Sequence, residues 1–149
     1  MALQGKVQHS FIEVDCISIL ETAAEKRVAL TRRIANIAHK KNLYDSSLIR
    51  HLYDIYSIYK KGHINDEFIP LVHEIVKDDQ EIFKNVNTTY YTDPISEIKR
   101  AINELETNNS WQKNWDEFTN AMVFGKDVPS YQTVITVFSK LSQEIIQAN

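Results

Sequence analysis

Residues 20–59 carry apolar side chains at every third or fourth position, which is the period of an amphipathic α-helix. The pattern predicts one helix over about residues 20–40 and a second that starts at Ser46 or Ser47 and ends before Gly62. Serine is a favoured N-cap residue, and lysines followed by a glycine favour a helix C-terminus. The two apolar stripes consist of Leu20, Ala23, Leu30, Ile34 and Ile37, and of Leu48, Leu52, Ile55 and Tyr59.

The same period continues to the end of the chain and predicts further helices. A third helix is expected to open at residues 65–67, with Pro70 in its first turn, where a proline is tolerated. Three more helices follow from capping residues and apolar periodicity. Their predicted starts are Asp93-Pro94, Asn109 or Ser110, and Pro129-Ser130.

Residues 85–92 are polar and are predicted to form the longest loop. Tyr90 and Tyr91 within it either stack on a nucleic-acid base or close a lid packed by its own aromatic rings. In the helix after residue 110, the large side chains fall on one face, which we interpret as core rather than as a cofactor site. That face consists of Trp111, Trp115, Phe118 and Met122, and Gly125 is expected to end the helix.

Only three glycines and three prolines occur among 149 residues, a length that fits one domain. We predict a mainly all-α fold, a single helical-bundle domain of about six helices over residues 20–149. Residues 1–19 are expected to form a short β-like arm, because residues 7–19 are rich in β-forming side chains. An unpaired strand edge invites association, so residues 7–19 are a candidate homo-oligomer contact. Glu13 and Asp15 are interpreted as surface acids.

Several classes of protein are disfavoured by the sequence. No stretch approaches the roughly 18 apolar residues of a membrane span, and the first residues contain no apolar run of signal-peptide length. We therefore expect a cytoplasmic protein without membrane contact. The single cysteine, Cys16, excludes an internal disulfide and is interpreted as a core residue. The five histidines lack the spacing and carboxylate partners of a metal motif, so no metal site is predicted.

Charge is unevenly distributed. Six basic residues and no acidic residue occur between Lys26 and Tyr44, and the first carboxylate is that of Asp45. Either this run contacts a polyanion, or it is a solvated helix face that acidic neighbours balance in the fold.

Lys26 and Asp54 lie at the margins of the first two apolar stripes. On two facing helices this pair would suit phosphate and metal chemistry, and it would equally suit an inter-helix ion pair. Arg50 precedes Asp54 by one helical turn and is expected to orient its carboxylate. His51 has no nucleophile to activate, and we interpret it as a hydrogen-bonded structural residue.

Two segments resemble a known family. They are LETAAEK followed by ALTRR, at residues 20–26 and 29–33, and RHLYD at residues 50–54. They resemble the C-terminal half of the AbiEii-type nucleotidyltransferase toxins, which belong to bacterial toxin–antitoxin and abortive-infection systems. The resemblance covers nearly the whole chain from about Phe11 onward. It continues through Tyr90, Tyr91, Trp115, Phe118 and residues 122–125.

The resemblance implies roles for particular residues. Lys26 is expected to contact nucleotide phosphates and Asp54 to complete the active site, while Arg32, Arg33 and Arg50 are expected to be secondary anion contacts. A complete enzyme of this kind transfers a nucleotide from an NTP to RNA or protein with Mg²⁺. The implied partners are therefore NTP, RNA, and a catalytic N-terminal half or a cognate antitoxin.

One motif of that family has no counterpart in this sequence. Its first motif is a Gly-Ser turn followed by paired aspartates that bind the triphosphate and Mg²⁺, whereas this chain has no Gly-Ser step and no Asp-x-Asp. Nucleotidyl transfer depends on positioning and on metal ions that neutralise charge, which a lysine cannot replace. We therefore expect the chain to be inactive alone and to hold no cofactor stably. The alternative is a non-catalytic helical module that binds RNA or protein.

Overall fold

The computed structural model describes residues 18–40, 44–122 and 127–148, with the side chain of residue 122 left aside. Within these ranges there are seven helices and no strand, which confirms the predicted all-α class. None of these helices is both long and apolar enough to cross a membrane. The helices are α1 (Ile19–Ala38), α2 (Ser47–Lys60), α3 (Phe68–Phe83), α4 (Thr88–Thr92), α5 (Pro94–Thr107), α6 (Ser110–Met122) and α7 (Tyr131–Gln147).

α1 is the helix around which the bundle is built, since it packs against α2, α3 and α5. Its N-terminal half contributes Ala23, Ala24 and Val28 to one buried core, together with side chains of α3, α5 and α7. Its C-terminal half contributes Leu30 and Ile34 to a second buried core, which α2, α5, α6 and α7 complete. Because both cores include α1, this helix ties the two halves of the bundle together.

α6 supplies two buried tryptophans to the second core. Trp111 Nε1 donates to Glu104 Oε1 at 3.0 Å, and Trp115 Nε1 donates to the Pro129 carbonyl at 3.1 Å. Both indole N–H groups are therefore satisfied while the rings exclude water. The predicted core role of this face is confirmed for both tryptophans, and Phe118 packs against them partly buried.

Helix ends follow the capping chemistry that the sequence indicates. The side chains of Asp93 and Ser130 accept hydrogen bonds from backbone N–H groups in the first turns of α5 and α7. At the end of α2, Gly62 has φ 79°, and its N–H donates to the Tyr59 carbonyl at 2.9 Å. The next N–H, that of His63, reaches back to Ile58, which completes a Schellman motif.

The start of α2 differs in one detail from the prediction. Ser46 occupies the N-cap position, but its side chain makes no capping hydrogen bond. The cap comes from Asp45, whose Oδ1 accepts from the Ser47 N–H at 2.9 Å. Asp45 thereby combines a local capping role with a position at the surface of the helix pair.

The predicted loop at residues 85–92 is wrong for residues 88–92, because Thr88–Thr92 form the short helix α4, whereas residues 85–87 belong to no helix. Asn87 caps this helix, and its Oδ1 accepts from the Tyr90 N–H at 3.2 Å. Tyr90 is buried in the bundle, whereas Tyr91 remains exposed. With α4, the described residues contain seven helices, one more than the six that the sequence predicts.

A buried carboxylate joins the end of α1 to α5. Glu97 is 1% exposed, and both of its carboxylate oxygens lie 3.0 Å from His39 Nε2. Arg100 Nε donates to the same carboxylate at 3.2 Å. The carboxylate is therefore satisfied from both helices.

Some predictions fall on residues that the structure does not describe. The β-like arm, the homo-oligomer contact at residues 7–19, Cys16 and Gly125 lie outside the described ranges, except for Ser18 and Ile19 of the arm. Ile19, which we placed in the arm, is the first residue of α1, and Ser18 caps that helix by accepting from the Glu21 N–H at 3.0 Å.

Candidate functional site

Lys26 of α1 and Asp54 of α2 form an ion pair on the surface of the bundle. Lys26 Nζ lies 2.8 Å from Asp54 Oδ2, and the two side chains are 30% and 35% exposed. The pair is thus accessible to a ligand, and it also satisfies each charge in the free protein. α1 and α2, which carry the pair, are joined through the second core, to which they contribute Leu30 and Leu52.

A second ion pair joins α1 to the connection that precedes α2. Arg33 Nη2 contacts Asp45 Oδ2 and lies 3.5 Å from Ser47 Oγ. Arg33 follows Lys26 by seven residues, which corresponds to about 10 Å along the helix axis at roughly 1.5 Å per residue. Hydrogen bonds from Ser47, followed by the charge of Arg33, hold the pKa of Asp45 below its ordinary value.

His51 lies between the two ion pairs. Burial lowers the pKa of His51, the cations Lys26 and Arg33 lower it further, and the carboxylates of Asp54 and Asp45 oppose them. Burial and the two cations therefore favour the neutral form of the imidazole. Its Nδ1 is buried without a hydrogen-bond partner, so the expectation that His51 is fully hydrogen bonded is wrong for this atom.

These five side chains form one charged cluster, which we define as Lys26, Arg33, Asp45, His51 and Asp54. It contains two cations, two carboxylates and a neutral imidazole, so its net charge is close to zero.

Arg32 lies elsewhere, although it precedes Arg33 directly. Its Nε donates to Asp79 Oδ2 of α3 at 2.8 Å, and the guanidinium carbon stacks 3.6 Å from the centroid of the Phe83 ring. Both partners of this ion pair are largely buried, with side-chain exposures of 13% and 14%. Arg32 therefore fastens α1 to α3 and does not join the charged cluster.

Arg50 is exposed on α2 and has neither an ion pair nor a hydrogen bond within the described ranges. The prediction that Arg50 orients Asp54 is wrong, because Lys26 contacts that carboxylate instead. Arg50 lines an open groove of 540 Å³ between the start of α2 and α6.

Arg27, next to Lys26, is the residue that the sequence analysis missed. It is 1% exposed, donates to the hydroxyls of Thr31 and Ser142, and stacks 3.9 Å from the centroid of the Phe138 ring. No carboxylate of the described residues pairs with it, and burial lowers its pKa to about 9. The signal was present, because Arg27 falls on the apolar stripe four residues after Ala23.

The contacts show how far acidic neighbours balance the basic residues between Lys26 and Tyr44. Lys26, Arg32 and Arg33 each pair with a carboxylate, and Arg27 is buried. Acidic neighbours therefore balance three of the six cations, while Arg27 is buried without a carboxylate partner among the described residues. Lys40 is exposed just past the end of α1, and Lys41 lies outside the described residues.

The described residues do not fit a magnesium site. No group of three or more His, Cys, Asp or Glu side chains among them lies close enough to hold a metal ion. The two carboxylates of the charged cluster belong to separate ion pairs, and Mg²⁺ needs near-octahedral oxygen ligands. The described residues thus show no cluster of three or more ligating side chains for the metal that the family resemblance implies.

Comparison with known families decides the relationship. The profile of the nucleotidyl transferase AbiEii toxin of type IV toxin–antitoxin systems matches residues 3–137. The chain belongs to the AbiEii family. The matched range includes α1 and α2 whole, so the charged cluster lies inside the AbiEii region. Neither the curated proteins nor the solved structures gave a match.

Proposed function

We propose that the charged cluster is the half of an AbiEii nucleotidyltransferase site that binds nucleotide phosphates. The observation that carries the proposal is the solvent-accessible ion pair of Lys26 and Asp54, which lies within the family match. Lys26 and Arg33, two turns apart on α1, supply the cations for the phosphate chain. Asp54 orients the Lys26 ammonium in the free protein and completes the site in the full enzyme.

The physical argument rests on how the two cations are held. Each is paired with a partly exposed carboxylate, and exposed pairs contribute only about 0–1 kcal/mol. A triphosphate carries more charge than a single carboxylate, so it competes effectively for both cations. Burial and the two cations favour the neutral form of His51, so the positive charge of the cluster comes from Lys26 and Arg33.

We propose further that this chain binds nucleotide without transferring it. The sequence lacks the Gly-Ser and Asp-x-Asp elements, and the described residues offer no magnesium site. Transfer to an RNA or protein acceptor then requires a catalytic half that brings the missing carboxylates. A cognate antitoxin is the second partner that membership of a type IV toxin–antitoxin family favours.

Thermal unfolding with each NTP and Mg²⁺ tests the binding step. A ligand at about 100 times its dissociation constant stabilises a protein by roughly 2.7 kcal/mol, which for a domain of this size corresponds to a rise in Tm of about 5–10 °C. We expect this rise in the parent chain and its loss in Lys26→Ala. The matched control is Lys77→Ala, since Lys77 is an exposed lysine on α3, away from the cluster.

Two results would contradict the proposal. One is the absence of any shift with all four nucleotides, which would leave a non-catalytic helical module that binds RNA or protein. The other is an equal shift in the parent and in Lys26→Ala. Transfer of labelled nucleotide to an acceptor by the purified chain would overturn the statement that it is inactive alone.

A further inference from the structure

The open groove between α2 and α6 contains the residues of a ligand site that the family match does not assign. It has a volume of 540 Å³, within the roughly 300–1,000 Å³ typical of small-molecule sites. Its lining includes Tyr44, Ser47, Arg50, Asn114, Glu117 and Phe118. A second recess of 410 Å³ adjoins it and shares Tyr44, Asn114 and Glu117.

The groove opens at one end of the charged cluster. Ser47 belongs to both, because it lines the groove and its Oγ lies 3.5 Å from Arg33 Nη2. Asp45 of the cluster is also the immediate neighbour of Tyr44 in sequence. The groove therefore begins beside the Arg33 end of the cluster, where the rest of a ligand with a phosphate on Arg33 can enter it.

Aromatic side chains give the groove rigid walls. The Tyr44 ring is 41% exposed and packs edge-on against the buried Trp111, with ring centroids 5.2 Å apart. Phe118 is held by Trp115 and Tyr53 at centroid distances of 6.2 and 5.8 Å. A fixed, partly exposed ring is a surface on which a nucleobase stacks without sequence preference.

The polar groups of the groove suit a neutral ligand with hydrogen-bonding edges. Arg50 contributes one positive charge and Glu117 one negative charge, so the groove does not favour a phosphate chain. The Asn114 amide both donates and accepts, while the Glu117 carboxylate accepts from amino and imino groups. A base and a ribose present this mixture of donors and acceptors.

We propose that the groove binds the nucleoside part of the nucleotide whose phosphates lie on the charged cluster. This inference rests on the proposed function. The base stacks on Tyr44, Asn114 and Glu117 contact its edge, and Arg50 contacts the ribose side near the phosphates. The cluster contributes affinity for any triphosphate, and the groove determines which nucleoside is preferred.

Calorimetric titration of the full chain with each NTP, and with inorganic triphosphate, separates the two sites. We expect Tyr44→Ala to weaken NTP binding by about tenfold and to leave triphosphate binding within about twofold, because only the nucleoside stacks on the ring. Glu117→Gln is expected to change the ratio of affinities between NTPs by at least about fivefold, because the side chain loses the negative charge that strengthens its hydrogen bonds to the base. Matched controls are Tyr91→Ala, a tyrosine of 40% exposure on α4, and Glu74→Gln on the exposed face of α3.

The outcomes distinguish this inference from the function on which it rests. Unchanged NTP affinity in both Tyr44→Ala and Glu117→Gln, with intact triphosphate binding, would overturn the nucleoside assignment alone and leave the groove to an RNA strand or a protein. Failure of both triphosphate and NTP to bind the parent chain would overturn the proposed function as well. If Tyr44→Ala loses its helical circular dichroism, the Glu117→Gln titration decides.

Discussion

Lys26 and Arg27 are consecutive in α1, but their side chains lie in opposite environments. The Lys26 ammonium lies at the surface, 2.8 Å from the carboxylate of Asp54. The Arg27 guanidinium is 1% exposed, and two hydroxyls and the Phe138 ring surround it. One position along the helix rotates a side chain by about 100°, which is enough to move it from the margin of the apolar stripe to its centre.

The difference shows how one helix separates a structural cation from a functional one. Arg27 contacts no carboxylate of the described residues and cannot reach a ligand, so its role is to fill the space between α1 and α7. The Lys26 ammonium lies at the partly exposed surface, and its partner is one that a phosphate group can displace. Substitutions at the two positions are therefore expected to affect different properties, Arg27 the free energy of unfolding and Lys26 the affinity for nucleotide.

The largest expected effect is on stability at Arg27. Arg27→Ala leaves a cavity against Phe138 and is expected to lower the free energy of unfolding by about 2–4 kcal/mol. Arg27→Met keeps most of the volume and removes an unpaired buried charge, so we expect it to remain within about 1 kcal/mol of the parent. Thr31 and Ser142 keep partners in both variants, because they also donate to the carbonyls of Arg27 and Phe138.

Urea unfolding at pH 7 measures these changes. Equal damage from Arg27→Ala and Arg27→Met would show that the hydrogen bonds to Thr31 and Ser142, rather than the filled volume, hold α1 in place. In that case Lys26 and Arg27 would differ in their hydrogen bonding rather than in their packing.

A smaller effect follows from the pKa of Arg27. Burial lowers this pKa to about 9 from 12.5, so between these values the unfolded chain binds a proton that the folded chain has released. The contribution of Arg27 to the free energy of unfolding therefore rises with pH above about 9 and is constant below that pH. Relative to Arg27→Met, the parent is expected to gain about 1–2 kcal/mol between pH 8.5 and 10.5, given about 1.36 kcal/mol per pH unit.

The difference between parent and variant is the quantity to measure, by urea unfolding at each pH. Burial raises the pKa of Tyr131 in both proteins, and this tyrosine lowers stability above pH 10 in each. Burial also raises the pKa of Tyr90, but the charge of Arg27 opposes that rise, so a change in the Tyr90 titration is part of the measured difference. If the difference in free energy of unfolding between the parent and Arg27→Met does not change up to pH 10.5, Arg27 keeps its proton in the folded protein.

The smallest effect is expected at the surface pair. A double-mutant cycle with Lys26→Met and Asp54→Asn is expected to give a coupling free energy below about 1 kcal/mol, because both side chains are about one-third exposed. The coupling should fall further in high salt. A coupling of several kcal/mol would assign the pair to the structural framework and remove the contrast with Arg27.

The helices were predictable from sequence because their signals are local. Apolar spacing, the Asp93 and Ser130 caps and the glycine after α2 each act within a few residues, and the structure shows them as expected. α4 was missed although Asn87 caps it locally, because the burial of Tyr90 depends on tertiary packing. The resemblance of the two short segments to the AbiEii family was also visible in the sequence, and the family match confirms it.

The candidate site was predictable only in part. Lys26 and Asp54 follow from helix margins and from the family resemblance, and the structure brings them together. The partners of the other cations depend on tertiary packing, since Arg32 meets Asp79 forty-seven positions away and Arg33 meets Asp45 in the connection to α2. The groove beside Tyr44 involves α2 and α6 together, and no sequence pattern joins those two segments.

The most direct test compares nucleotide affinity in the parent chain, Lys26→Ala and Arg27→Met, by calorimetric titration with NTP and Mg²⁺. We predict that Lys26→Ala loses at least about tenfold in affinity, since a hydrogen bond to a charged group contributes roughly 1.5–3 kcal/mol. Arg27→Met is predicted to bind as the parent does. Equal affinity in all three proteins, or a greater loss in Arg27→Met than in Lys26→Ala, would contradict the assignment of the charged cluster as the phosphate site.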